Sequence, residues 1–327
     1  MPVPDLVVSQ NESFKWLVEK GLSEVFAEFA SIGDYSGKKF ELSFKNIKLE
    51  EPKHDEHYTK NNKLSYEAPL KATVELKNKI RGGGKEQEIF LADFPMMTSH
   101  GTFIISGVER VIVPQLARSF GIFFTSDEIK GKRYFGGKII PARGVWIEIE
   151  TESDNAIYVR IDRKRKFAVT SLLRVLGAET NDAIKQLFAG NEAAKVFIEA
   201  SLAKDHAKTT EESFLEIHKR MRDGEIGTVE NAKEFVKGIF STDRYDLSKV
   251  GRFKFNKRFN KALEGKDSDR RTISLNDVVT IVNHVALLNV TPGATEDDID
   301  HLGSRRVRYV GEMLQQKVRV GLPQMKR

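Results

Sequence analysis

Hydrophobic residues in the first hundred positions recur with two different periods. Between residues 10 and 30 they fall three or four positions apart, which predicts an amphipathic helix with one apolar face. They then alternate with polar residues across Phe40–Phe44, Leu70–Leu76 and Glu86–Phe94, as in strands that bury one side. The glycines of Arg81–Gly84 interrupt this alternation and predict a hairpin turn before the last of these strands.

A strand-turn-strand unit is predicted between Met97 and Phe124. The β-branched runs Thr102–Ile105 and Val111–Val113 are separated by Ser106–Arg110, a short segment suited to a tight turn. Polar residues with no obvious place in a core follow the second run, namely Gln115, Arg118 and Ser119.

A second strand-rich block begins near Lys138. Val145, Ile147 and Ile149 alternate with polar residues and should face a core. Trp146 then lies on the same side as Glu148 and Glu150, which is an unusual place for an indole. Tyr158–Ile161 has the pattern of a further strand.

Helical spacing dominates from about Thr170 onward. Ser274 and Asp277 can cap one helix, and the apolar positions from Arg305 to Val318 predict a last one. Other helical patterns lie at Leu172–Leu176, Phe214–Met221, Phe235–Phe240 and Val278–Val285. The chain is therefore predicted to be a mixed α+β protein, and its 327 residues suffice for two domains.

Composition narrows the class of protein. Hydrophobic residues make up 40% of the chain and charged residues 31%, as in a soluble globular protein. No run of 18 apolar residues predicts a membrane span, and the first residues lack the pattern of a secretory signal. The absence of cysteine excludes disulfides, thiolate zinc sites and a cysteine nucleophile, and suits a reducing cytoplasm.

The placement of positive charge is more informative than the net charge of +6. Basic residues cluster, in part with interleaved aromatic residues, at Arg160–Lys166 (RIDRKRK), Arg252–Arg258 (RFKFNKR), Arg270–Arg271 and Arg305–Arg308 (RRVR). Any one cluster is compatible with a solvated surface, but together they favour a partner lined with phosphates, such as a nucleic acid.

Two acidic motifs are candidates for phosphoryl-transfer chemistry, which needs carboxylates clustered around metal ions. They are Asp297–Asp300 (DDID) and His54–His57 (HDEH), whose two histidines stand at i and i+3. Neither forms a clear cluster of carboxylates, and a polar surface loop is the favoured interpretation of HDEH. We therefore expect no catalytic residue and no metal ligand in this chain.

Six blocks of sequence, in the same order, resemble the bacterial RNA polymerase β subunit: VPDLVVSQNESF, MTSHGTFIISGVERVIVPQLARS, IIPARGVWIEIE, IYVRIDRKRKFAVTSLLR, DRYDLSKVGRFKFNKRF and DDIDHLGSRRVRYVGEMLQQKVRVGL. Six ordered blocks are far more specific than a lone motif. The resemblance implies a strand-rich protrusion with packing helices (residues 1–108 and 309–327). A lobe of strands followed by helices (residues 109–308) is inserted in it. A full β subunit is several times longer, so the resemblance also implies an N-terminal fragment.

The resemblance places a pocket for the non-template DNA strand in the lobe, at the downstream edge of melted promoter DNA. The residues that match this pocket are Arg118, Trp146, Ile299, Asp300 and Arg305. An indole can stack on a splayed base, an aspartate can accept hydrogen bonds from a base edge, and arginine can hold a phosphate. A preference for guanine is implied. The alternatives are a covered strand aromatic for Trp146 and a helix-capping acid for Asp300.

The basic run that follows Tyr158–Ile161 supplies further candidate DNA contacts. Arg163, Lys164 and Arg165 are hypothesised to face DNA, although a solvated strand end is an equally good interpretation of each. Every phosphate that they neutralise on duplex DNA should add about 0.9 to the salt dependence of binding.

The strand after the glycine turn is implied to be a docking edge for proteins. The positions concerned are Lys85 and Glu86, and the implied partner is the transcription-repair coupling factor or a CarD-type regulator. An edge strand has unpaired backbone groups that a partner strand can extend. An ordinary hairpin with a solvated edge is the alternative.

The resemblance implies a part of the multi-subunit DNA-directed RNA polymerase, a nucleotidyltransferase, that forms one wall of the DNA cleft. Implied partners are the β′, α and ω subunits, the remainder of β, σ factor, and promoter and downstream DNA. Mg²⁺ is implied on another subunit, so this chain should need no cofactor and be inactive alone. The expected location is the cytoplasm, with the nucleoid. A free-standing nucleic-acid-binding protein, or a phosphoryl-transfer enzyme using DDID or HDEH, stays open.

Overall fold

The computed structural model describes residues 5–29, 31–225, 227–261 and 269–326. By backbone contacts the chain divides into two compact units, which we call unit 1 (Met1–Ala117 with Val307–Arg327) and unit 2 (Arg118–Arg306). Helices and antiparallel strands occur in both, so the predicted α+β class is confirmed.

Helices and strands follow one another in blocks along the described part of the chain. The helices are α1 (Val8–Trp16), α2 (Leu22–Glu28), α3 (Glu56–Asn61), α4 (Val169–Val175), α5 (Asn181–Leu187), α6 (Glu192–Lys204), α7 (Thr210–Met221), α8 (Val229–Ile239), α9 (Ser248–Arg258), α10 (Leu275–Val290) and α11 (Val310–Lys326). The strands are β1 (Ser31–Gly33), β2 (Phe40–Leu49), β3 (Glu67–Asn78), β4 (Gly84–Pro95), β5 (Phe103–Ile105), β6 (Val108–Arg110), β7 (Gln115–Arg118), β8 (Gly121–Ile129), β9 (Lys132–Ile140), β10 (Ile147–Thr151), β11 (Ile157–Ile161), β12 (Phe167–Ala168) and β13 (Arg305–Arg308).

Unit 1 packs helices on an antiparallel sheet of order β1-β2-β3-β4. The predicted first helix is confirmed: α1 and α2 are joined by a π-helical turn at Leu17–Gly21, and residue 30 of the prediction lies outside the described residues. The glycine turn joins β3 to β4, as predicted. The core consists of Phe14, Leu17, Leu22, Val25, Phe26, Leu70, Phe94, Phe103, Val310 and Leu322.

Two sequence predictions near the ends of unit 1 are wrong. The second strand of the predicted hairpin is β6, not Val111–Val113, because Ser106 and Gly107 both have positive φ and make a two-residue turn. The last helix begins at Val310 instead of Arg305, since Arg305–Arg308 is strand β13 and pairs with β7. The apolar residue of β13 fits the helical spacing of those that follow it, and the predicted helix therefore began too early, within a strand.

Unit 2 is built on a five-stranded antiparallel meander of order β12-β11-β10-β9-β8, with helices α4–α10. Its register sets Gly121 opposite Ile140, Ile139 opposite Ile147, and Ile147 opposite Ile161. The starts of β8 and β10 and the ends of β9 and β11 consequently lie at one end of the sheet. The isoleucines at this end are buried in the core of the unit, which fixes the register because a slip by one residue would expose them.

A buried ion pair joins α9 to α10. The Arg252 guanidinium donates two hydrogen bonds to the Asp277 carboxylate, each 3.0 Å long, and others to the Arg270 and Thr272 carbonyls. Only 3% of Arg252 and 4% of Asp277 is exposed. The predicted cap is confirmed, because Asp277 and Ser274 also form a reciprocal capping box. Burial alone would raise the pKa of Asp277, but its bonds to Arg252 and Ser274 outweigh burial and lower it.

Replacing this carboxylate tests how much the pair contributes. Asp277→Asn should lower the free energy of unfolding, measured with urea, by about 3 kcal/mol because Arg252 would retain an unpaired buried charge. Asp223→Asn, which breaks the exposed pair with Arg165, should lower it by less than about 1 kcal/mol. Equal losses in the two variants would contradict this interpretation.

The same pair should make unfolding depend on pH. Because folding lowers the pKa of Asp277, the wild-type protein should hold its advantage over Asp277→Asn at neutral pH. That advantage should shrink below about pH 4 and disappear once the folded carboxyl takes up its proton. Urea unfolding of both proteins across this range measures the difference.

Candidate nucleic-acid interface

Three predicted site residues meet at the end of the unit 2 sheet. Arg118 precedes β8, Trp146 directly precedes β10, and Arg163 follows β11, so the register of the meander brings them together. The guanidinium carbon lies 5.2 Å from the indole centroid for Arg163 and 5.8 Å for Arg118. Both distances are within the range of cation–π attraction. The indole is half-buried, and both arginines are exposed.

Arg163 is held in place by a strained turn. Asp162 and Arg163 have φ of 51° and 56°, and the Lys164 N–H donates to the Ile161 carbonyl at 3.0 Å, as in a type I′ turn. The Asp162 N–H donates to the Trp146 carbonyl at 2.9 Å and so joins the turn to the start of β10. Glycine is the usual residue at such φ values, so an arginine here is kept at a cost in conformational energy.

The cations of this surface fall into two groups, those without an ion pair and those that already pair with a carboxylate. Among the described residues, the charged ends of Arg118, Arg163, Lys164 and Arg305 form no ion pair or hydrogen bond. Arg165, by contrast, pairs with Asp223 at 3.4 Å, although both side chains are largely exposed. The first group can bind phosphates directly, whereas Arg165 must first leave Asp223.

The segment that carries the other predicted residues is fastened along the open side of β8. The Glu296 carboxylate accepts from the Ser126 N–H and hydroxyl, both at 2.9 Å, and these bonds lower the pKa of Glu296. Asp297 accepts from the Phe124 N–H at 2.7 Å. Further along, the Ser119 N–H donates to the Ser304 carbonyl at 2.9 Å. Residues 296–304 therefore run beside residues 119–126.

Arg258 reinforces this fastening. Its guanidinium donates to both oxygens of Asp297, at 2.8 and 2.9 Å, in the paired geometry that gives arginine–carboxylate bonds their directionality. The first aspartate of the DDID motif is thus engaged with protein groups instead of being free for a metal ion.

Ile299, Asp300 and Arg305 lie within or beside this fastened segment. Asp300 is exposed, and its N–H donates to the Asp298 side chain at 3.0 Å in a tight turn. Arg305 follows Ser304 and so lies close to Arg118, which precedes Ser119. The structure places Ile299 and Asp300 between the bond of Asp297 to Phe124 on β8 and the bond of Ser304 to Ser119, just before β8. Of the predicted site residues in the described ranges, Arg118 and Arg163 contact the Trp146 ring.

Sequence reasoning missed some contacts at this interface. Arg306 covers the Phe120 ring at 4.4 Å, and the Lys254 ammonium donates to the Ser119 hydroxyl at 2.6 Å. The basic cluster RFKFNKR contained Lys254 and Arg258, but only the packing of α9 beside β8 shows which of its members reach this end of the sheet.

In unit 1, the predicted docking residues lie on an edge strand. Among the described strands β4 pairs only with β3, and its start carries the exposed Lys85 and Glu86. Glu86 lies opposite Glu75, and Lys45 forms ion pairs with both carboxylates. Charged side chains on an edge strand disfavour non-specific pairing with other strands. The backbone of the β4 edge is therefore accessible, while its charges limit which strands can pair with it.

The HDEH motif is accounted for by local structure. Asp55 is the N-cap of α3 and accepts from the Tyr58 N–H at 2.6 Å, while His54 stacks near the Tyr58 ring. Within the described ranges, no group of three or more His, Asp or Glu side chains is arranged to hold a metal ion. No helix in the described part of the chain is long and apolar enough to cross a membrane.

An indole flanked by unpaired guanidinium groups has the chemistry of surfaces that bind nucleic-acid strands. Comparison with known proteins identifies the family of the chain. The family model for RNA polymerase Rpb2, domain 2, matches residues 118–308. DNA-directed RNA polymerase subunit beta of Chloroflexus aggregans is 40% identical over 99% of this chain, that of Syntrophomonas wolfei 39%, and that of Synechocystis 40%.

The chain belongs to the RNA polymerase Rpb2 family, as its resemblance to bacterial β subunits implied. It spans 29% of the length of each of these three relatives.

The fastening of residues 296–304 can be tested at Asp297. Asp297→Asn keeps an acceptor for the Phe124 N–H but loses the ion pair with Arg258, a loss of about 1 kcal/mol for a partly exposed pair. We expect the amides of Phe124 and Ser119 to exchange about fivefold faster in hydrogen-exchange experiments.

The matched control is Glu225→Gln, which removes an exposed pair with Arg222 elsewhere in unit 2. It should leave both amides unchanged. If Asp297→Asn also left them unchanged, the Asp297–Arg258 pair would not hold the segment.

Proposed function

We propose that this chain supplies the protrusion and lobe of the β subunit of a bacterial DNA-directed RNA polymerase, with unit 1 as protrusion and unit 2 as lobe. The lobe contacts the non-template strand and downstream DNA and so forms one wall of the DNA cleft. Membership of the Rpb2 family and the names of the relatives support the assignment. The observation that supports the proposal most directly is the position of Trp146, which has the unpaired guanidinium groups of Arg118 and Arg163 beside it.

Each residue of the interface has a chemical role in this proposal. Trp146 offers its ring to an unstacked base, and Arg118, Arg163, Lys164 and Arg305 neutralise phosphates around it. Arg165 joins them when it leaves Asp223.

The fastened segment would supply base discrimination. Asp300 presents acceptor oxygens to the donor groups of a guanine edge, and Ile299 beside it offers apolar contact to the same base. The bonds of Glu296 and Asp297 to β8 limit the movement of both side chains before DNA arrives.

Bond formation belongs to the rest of the assembly. We propose that nucleotidyl transfer uses Mg²⁺ held by another subunit and that this chain alone makes no RNA. Its partners would be the β′, α and ω subunits, the remainder of β, and σ factor. The β4 edge at Lys85 and Glu86 would accept a strand from a transcription-repair coupling factor or a CarD-type regulator, because its outer backbone groups pair with no other described strand.

A free-standing nucleic-acid-binding protein is the second candidate, favoured by the same unpaired cations. The two differ in affinity. One wall of a cleft should bind DNA weakly and with a steep salt dependence, whereas a self-sufficient binder should form a tight, sequence-specific complex.

Trp146 should dominate binding of single-stranded DNA. For a fluorescent 12-nucleotide oligo(dT), Trp146→Ala should weaken binding at least about fivefold, since stacking on an aromatic ring is worth about 1–3 kcal/mol per base. Trp146→Phe should retain most of the affinity. Arg222→Ala, which removes another arginine–aromatic contact from unit 2, should have no effect. Unchanged affinity in Trp146→Ala would remove the indole from the interface.

Asp300 should set the preference for guanine. With oligonucleotides that differ at one base, wild-type protein should prefer guanine, and Asp300→Ala should reduce the preference by about tenfold, as expected for a base contact worth about 1–3 kcal/mol. Asp127→Ala, which removes an exposed carboxylate from β8, should preserve it. Competition binding measures both ratios, and an intact preference in Asp300→Ala would assign discrimination to another residue.

A further inference from the structure

Helix α9 presents a basic face with an aromatic residue at its centre. Lys249, Phe253 and Lys257 stand four residues apart and therefore share one face, separated by about 6 Å along the helix axis. All three are exposed, Phe253 to 50%, and Val250 beside them to 56%. Among the described residues neither lysine forms an ion pair, and α9 contains no acidic residue.

This exposed face of α9 has no role in stabilising the described part of the fold. Arg252 and Phe255, from the same basic-aromatic cluster, are buried on the opposite side, where Arg252 pairs with Asp277. Arg258 is engaged with Asp297. These other members of the cluster are thus engaged in packing or ion pairs, whereas Phe253 and its flanking lysines are exposed to solvent.

The same helix is fixed beside the start of β8, where the Trp146 interface begins. The Lys254 ammonium reaches the Ser119 hydroxyl at 2.6 Å, directly after Arg118. A Cβ atom on Gly251 would lie 3.2 Å from the Cβ of Phe120, so helix and strand approach closely at this glycine. Lys254 follows Phe253 in the chain, and the exposed face therefore adjoins the edge of α9 that contacts Ser119.

We propose that Lys249, Phe253 and Lys257 form a second stacking site for single-stranded nucleic acid, continuous with the interface around Trp146. The ring of Phe253 receives one base, and the two lysines bind the phosphates on either side. This inference rests on the proposed function, because it extends the path of the same strand. Alternation of aromatic rings with cations is the chemistry by which proteins track a single strand without reading its sequence.

The charge of the face favours a nucleic acid over a protein partner. A comparably exposed ring, Phe90 on β4, is 57% exposed but has Glu88 and Asp93 close to it in the strand. On α9, the exposed neighbours of Phe253 are instead Lys249, Val250 and Lys257, none of which is acidic. Phosphates match that charge, and the adjoining interface around Trp146 presents the same combination.

The test uses the 327-residue chain and 12-nucleotide oligo(dT) probes that carry one 2-aminopurine at successive positions. Stacking on a ring quenches this base. We expect two separate quenched positions, one lost in Trp146→Ala and the other lost in Phe253→Ala. Phe253→Ala should also weaken binding at least about fivefold, whereas Phe253→Tyr should restore quenching and affinity. Phe90→Ala, the matched control, should behave as wild type.

The lysines are tested through the salt dependence of binding. Lys249→Gln combined with Lys257→Gln should reduce the slope of log affinity against log salt by about 1.4, since each contact to a single strand contributes about 0.7. Thermal unfolding of the variants at Lys249, Lys257, Phe253 and Phe90 should match wild type because these side chains are exposed.

The outcomes separate this inference from the proposed function. If Phe253→Ala keeps both quenched positions and full affinity while Trp146→Ala loses its own, the second stacking site is wrong and the proposed function stands. If wild-type protein quenches no probe, or if neither substitution alters binding, both are wrong. Loss of the second position in Phe253→Ala alone, with rescue by tyrosine, supports the site.

Discussion

The pairing of Ile139 with Ile147 and of Ile147 with Ile161 is the constraint on which the interface of unit 2 depends. These isoleucines are buried, so the three central strands cannot slip without exposing a row of apolar side chains. Because the register is fixed, the set of loops that lie together at each end of the sheet is fixed as well. Arg118, Trp146 and Arg163 are distant in the chain, yet they meet because each adjoins a strand terminus at that end. The core of the unit therefore determines the geometry of its surface chemistry.

Ion pairing then decides which basic residues of unit 2 can meet a phosphate. Arg252 is buried on Asp277 and Arg258 is held by Asp297, so both contribute to the position of α9 and of residues 296–304. Arg163 and Lys164 have no such partner among the described residues. An excess of positive charge spread evenly over the surface would attract DNA without orienting it. Among the described residues of unit 2, the unpaired guanidinium groups of Arg118 and Arg163 lie beside the ring of Trp146, which under the proposed function would give a bound strand a defined position.

The sequence predicted local features well and tertiary ones poorly. The glycines of Arg81–Gly84 predicted a hairpin turn, and the spacing of Ser274 and Asp277 predicted a helix cap, both of which the structure contains. These depend on neighbours in the chain. Strand β13 was missed because its partner β7 lies far away in sequence, and helical spacing masked it. The engagement of Arg165 by Asp223 was likewise invisible, since an ion pair between distant segments leaves no periodic trace.

Arg163 shows how the fold and the interface are coupled. An L-residue at positive φ costs about 1–2 kcal/mol, and an exposed cation–π contact with Trp146 returns about 0.5–1 kcal/mol. The contact therefore does not offset the strain by itself, and glycine would satisfy the turn with less. The turn persists because the pairing of β10 with β11 and the bond from Asp162 to the Trp146 carbonyl impose it. What the arginine adds is a guanidinium already placed beside the indole, where the proposed function has a nucleic-acid strand bind.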